Sequence, residues 1–66
     1  MSTNLIRRRD RLANLANLVE ELANDAWDAK IFGAETELWA ARECLRNAAQ
    51  EYFSEACARV RLRAGD

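Results

Sequence analysis

Residues 30–35, Lys30-Ile31-Phe32-Gly33-Ala34-Glu35, divide the chain into two helical halves. Gly33 suits the left-handed position just past a helix end, because glycine takes positive φ without a Cβ clash. Glu35 and Glu37 follow in what reads as the first turn of a second helix. Negative charge there complements the helix dipole. The turn is therefore expected over about 32–34.

Working back from the turn, apolar residues recur at helical spacing: Leu5, Leu12, Leu15, Val19, Leu22, Ala26 and Ala29. With Leu5 at heptad position a, this set fills a and d except at Arg8. Positions c and f hold Arg7, Asp10, Asn14, Asn17, Glu21, Asn24 and Asp28, all polar. Ser2, Thr3 and Asn4 are N-cap types just before Leu5. The separation of the two strips predicts a helix over about 3–31. Working forward, Leu38, Ala41, Leu45, Ala48, Ala49, Tyr52, Phe53, Ala56 and Val60 give a broader stripe, with Glu43, Asn47, Gln50 and Ser54 behind it. A second helix is expected over about 35–63.

Two helices joined this tightly pack antiparallel. The fold class expected is all-α: residues 1–66 form a single antiparallel αα-hairpin. Each helix then has one neighbour, and one neighbour cannot cover stripes widened by Leu18, Cys44, Tyr52 and Phe53. A homodimer forming a four-helix bundle is therefore expected. Its core would be drawn from Leu12, Leu15, Val19, Leu22, Leu45, Ala49, Tyr52, Phe53 and Ala56. Small residues at 16, 23, 41, 48 and 49 would allow close helix approach.

Charge is balanced overall, at −1, and unevenly spread. Residues 1–13 sum to +3, residues 54–66 to +1, and residues 14–53 to −5. In an antiparallel hairpin Arg7, Arg8, Arg9, Arg11, Arg59, Arg61 and Arg63 mark one pole, and Asp25, Asp28, Glu35 and Glu37 the turn pole. Head-to-tail dimerisation would set each basic end beside the partner's acidic turn. Alternatively, the arginines would contact phosphates, since clustered Arg binds them bidentately. Aromatic residues do not interleave with the cluster, so base stacking is not suggested.

Trp27 and Trp39 fall beside the apolar stripes near the turn, with Ile31 and Phe32. They either close the bundle end as a small aromatic cluster or form an exposed patch that docks on another protein. Ile6 and Leu62 form a smaller counterpart at the opposite end. Tyr52 lies on the core stripe and reads as packing.

Several classes of function are disfavoured. The sequence has no His, hence neither the commonest general base nor the commonest zinc ligand. No nucleophile has a neighbouring base and there is no Gly-rich phosphate loop, so no enzyme, cofactor or metal site is expected. No apolar run reaches the roughly 18 residues of a membrane span. The Met1 end lacks the apolar core of a secretory signal. Cys44 and Cys57 lie about 20 Å apart along one helix, too far to bond to each other, and read as free thiols in a reducing cytoplasm, with an intermolecular disulfide as the alternative.

In its length, its two equal helices and its Gly33 turn, the whole chain resembles the small helical-hairpin dimers among plasmid and phage regulators. These include Rop-like RNA-binding bundles and phage anti-activators that bind host transcription factors. No functional motif carries over residue by residue. The expected function is a small, non-catalytic homodimer that engages and modulates another protein, with inhibition the favoured form, through exposed helix faces. The alternative is nucleic-acid backbone binding by the arginine pole.

Overall fold

The computed structural model describes residues 2–65, with side chains described over residues 4–62. It is all-helical: α1 spans Ser2–Asp28 and α2 spans Phe32–Gly65, packed against each other as a hairpin. Among the described residues no helix is long and apolar enough to cross a membrane.

The turn lies three residues earlier than the sequence suggests. Lys30, with φ of 61°, is the left-handed residue, and Gly33 has no positive φ and sits in the first turn of α2. Hydrogen bonding explains the shift. The Lys30 amide donates to the Trp27 carbonyl at 3.0 Å, and the Ile31 amide donates to the Ala26 carbonyl at 2.9 Å. This is a Schellman closure, which satisfies two carbonyls at the end of α1. The Glu35 amide then donates to the Ile31 carbonyl at 3.0 Å and opens α2. The linker is 29–31 rather than 32–34, and the helices are unequal, at 27 and 34 residues. The N-cap candidates Ser2, Thr3 and Asn4 fall inside α1.

The seam between the helices is also rotated from its expected place. Positions a and e of α1 face α2: Leu5, Ala16, Ala23 and Ala26 are buried, and Arg9, Leu12 and Val19 are half-buried. Opposite them, Ala49 and Ala56 are buried, and Leu38, Arg42, Leu45 and Tyr52 are half-buried. Moving from a/d to a/e turns α1 by about 50° at 100° per residue. Leu15, Leu18 and Leu22, at 45%, 50% and 46% exposed, are left outside the seam. Close packing accounts for this, because alanine in the seam lets two backbones approach where leucine would hold them apart. An a/d seam would also carry the Arg8 charge inward, whereas here Arg8 is exposed.

The result is a slab 55 × 14 × 9 Å across its Cα atoms, with a radius of gyration of 15.7 Å. A compact chain of this length would measure about 11 Å. One broad face is laced with polar contacts. The Arg9 guanidinium lies 5.2 Å from the Phe53 ring centroid, and that of Arg42 lies 5.2 Å from the Trp39 ring. Arg42 also approaches Glu20 at 3.3 Å, an ion-pair distance, but its buried Nε makes no hydrogen bond. The other face is open. Arg8, Arg11 and Tyr52 line one of its hollows, and Arg8, Glu51, Tyr52, Glu55 and Arg59 line the next. Helical stepping from Arg8 and Arg11 carries Leu15, Leu18 and Leu22 onto this open face.

Candidate functional site

The candidate surface at the turn is built by the Schellman closure. Reversing the chain over 29–31 leaves Trp27, Ile31 and Phe32 at the tip, 59%, 57% and 51% exposed. Trp27 and Phe32 meet edge to face, centroids 5.2 Å apart and planes at 64°. Aromatic pairs of this geometry contribute about 0.5–1.5 kcal/mol beyond area burial. The pair therefore holds a rigid apolar tip while most of its surface stays in water. Asp28 and Lys30, both exposed, give the tip a charged rim.

Trp39 has a different role from its three sequence companions. It is half-buried on the laced face and stacked under Arg42. The aromatic contact formed at the turn is Trp27–Phe32.

At the opposite pole the arginines divide. Arg9 is tied to Asp10 at 2.8 Å and stacks on Phe53, and Arg59 is tied to Glu55 at 3.1 Å. Arg7, Arg8 and Arg11 are exposed, and among the described residues no carboxylate pairs with them. Arg61 is exposed and lines a shallow groove with Ile6, Ala56, Cys57 and Val60. The Arg63 side chain lies outside the described residues. The groove joins Ile6 to Val60 and Cys57 and not to Leu62; spacing along α2 of 56, 57, 60 and 61 was the signal for it.

Of the residues expected to form a dimer core, the hairpin itself buries Ala49 and Ala56 and half-buries Leu12, Val19, Leu45 and Tyr52. Leu15, Leu22 and Phe53 remain exposed. Cys44 is exposed, Cys57 is half-buried, and both are free thiols. Among the described residues, no group of three or more His, Cys, Asp or Glu side chains is placed to hold a metal ion.

No protein-family model matches the chain, and neither the curated proteins nor the solved structures contain a match.

Proposed function

We propose that this chain is a small, non-catalytic, homodimeric regulator that binds another protein and inhibits it by occupying its surface. The observation that carries the reading is the tip: Trp27, Ile31 and Phe32 are more than half exposed and Trp27–Phe32 is pre-organised. Tryptophan is enriched among residues that dominate binding energy, and a rigid aromatic pair loses little conformational freedom on docking. Charged Asp28 and Lys30 around it match the polar rim of protein interfaces. Two free thiols fit work in a reducing cytoplasm.

The experiment is affinity capture from lysate with nuclease present, comparing the native chain with Trp27→Ala and Phe32→Ala. A stoichiometric protein retained by the native chain and lost by both variants, with helical circular dichroism unchanged, supports the reading. Equal retention by all three overturns it.

The second reading is nucleic-acid backbone binding, favoured by the exposed Arg7, Arg8 and Arg11, which pair with no carboxylate among the described residues. Three phosphate contacts would lower log K with log salt at a slope of roughly −2 to −3. A flat salt response, or no loss on replacing the three arginines, rejects it.

A further inference from the structure

We propose that the open face receives a second copy of this chain with both turns at the same end, α1 of each copy lying antiparallel along α2 of the other. This rests on the homodimer in the reading above, and is independent of what the tip binds.

Symmetry sets the register. A twofold axis running along the hairpin, between two open faces, keeps every residue at its own height. Heights are known within the chain: Glu20 lies level with Arg42, and Arg9 with Phe53. The same levels then hold between copies. Above the axis, Arg8 meets Glu55, Leu15 meets Ala48 and Leu22 meets Ala41. One strip outward, Arg11 meets Glu51 and Leu18 meets Cys44. Large side chains fall opposite small ones, and guanidinium opposite carboxylate. Each pairing occurs twice. One is unfavourable, Asp25 against Glu37.

Head-to-tail docking of the same face gives a worse fit. It also sets Arg11 near Asp25, but it stacks the leucine ridge on its own copy and the alanine strip on its own copy, and brings Glu37 beside Glu51. The pole-to-pole attraction legible in the sequence is thus outweighed by shape once the seam is placed.

Area and need agree. The face is about 40 Å long and about 20 Å wide, from helix length and two helix diameters. That is roughly 800 Å² per copy, the usual share of a specific interface. The seam alone buries Leu5 and five alanines among the described residues. A core this thin is commonly supplemented by oligomerisation in chains this short.

The test uses sedimentation equilibrium and disulfide mapping. Twice the 7.5 kDa chain mass is expected, and a monomer overturns the proposal. Orientation is read in a Cys57→Ala background under mild oxidation. With Cys44 alone no covalent dimer should form, because the two copies of Cys44 lie on opposite edges of the bundle. Adding Leu18→Cys should give a covalent dimer whose peptide map joins position 18 of one copy to Cys44 of the other. A Cys44–Cys44 bond indicates head-to-tail docking and overturns the proposal. So does a dimer in which no 18-to-44 link forms. Failure of the tip reading would show in capture experiments and leave these results untouched.

Discussion

Exchanging the roles of two turn residues tests the fold most sharply. In the hairpin, Lys30 holds a left-handed backbone, φ 61°, that disfavours side chains with a Cβ, and Gly33 occupies a helix where its freedom is wasted. A left-handed conformation costs a non-glycine residue roughly 1–2 kcal/mol. Lys30→Gly removes that cost and adds about 0.5–1 kcal/mol of unfolded-chain freedom to be lost on folding, for a net gain of about 0.5–1 kcal/mol. A Cβ built on Gly33 meets nothing within 4 Å. Gly33→Ala should therefore gain about 0.5–1 kcal/mol from helix propensity alone. For domains of this size each kcal/mol moves Tm by roughly 4–8 °C. Each single variant should melt about 2–8 °C higher, and the double variant higher than either. The assay is thermal circular dichroism at one fixed concentration, because dimerisation makes Tm concentration-dependent. If the chain reversed at Gly33 instead, both signs would change. Alanine would be strained at 33, and glycine would weaken a helix interior at 30. Destabilisation by both single substitutions would refute the turn described here.

Three further perturbations probe the packing. Ala23 is 0% exposed in the seam, so Ala23→Leu should overpack it and cost about 1–3 kcal/mol in urea unfolding, whereas Ala13→Leu, on an exposed position, should leave the midpoint nearly unchanged. The Arg42 Nε is buried without a hydrogen bond and its Glu20 partner is partly solvated, so Arg42→Met should alter stability by less than about 1 kcal/mol. A larger loss in thermal melts would mean that the pair is better solvated or better aligned than its geometry shows. Glu37→Gln should strengthen the turns-together dimer by removing its one like-charge pairing, read as a lower dissociation constant in sedimentation; weakening would count against that pairing.

The polar strip of α1 was fully legible. Arg7, Asp10, Asn14, Asn17, Glu21, Asn24 and Asp28 are all exposed, since burying such groups is unfavourable whatever partner the opposite face acquires. Two helices and their antiparallel packing followed from that strip and the central break. The inner face did not. Leucines at d and alanines at e are both apolar, and hydropathy ranks leucine as the better core residue. Close backbone approach prefers alanine, and that preference becomes visible only when the two helices are set together. The turn was misplaced for a related reason. Propensity favours Gly33 over Lys30 for positive φ, but the two Schellman hydrogen bonds outweigh a single residue's strain. Of the candidate tip, Trp27, Ile31 and Phe32 come together at the chain reversal, and Trp39 is drawn away by Arg42. Sequence distance from the turn could not distinguish a ring at the tip from one under a guanidinium.

The alanine seam leaves the turn with a second duty. Ala16 and Ala23 on α1, and Ala49 and Ala56 on α2, each repeat after seven residues. Sliding one helix by two turns would return small residues to the same spacing along the seam, so the seam acts as a smooth rail with little to mark a single stopping place. The three-residue reversal at 29–31, held by its two carbonyl-directed hydrogen bonds, is the end stop on that rail. It allows no slack for a slide of about 10 Å. Inserting flexible residues there would release the rail. The helices would stay helical while their alignment became a distribution, and every pairing across the slab from Arg9–Phe53 to Glu20–Arg42 would blur together.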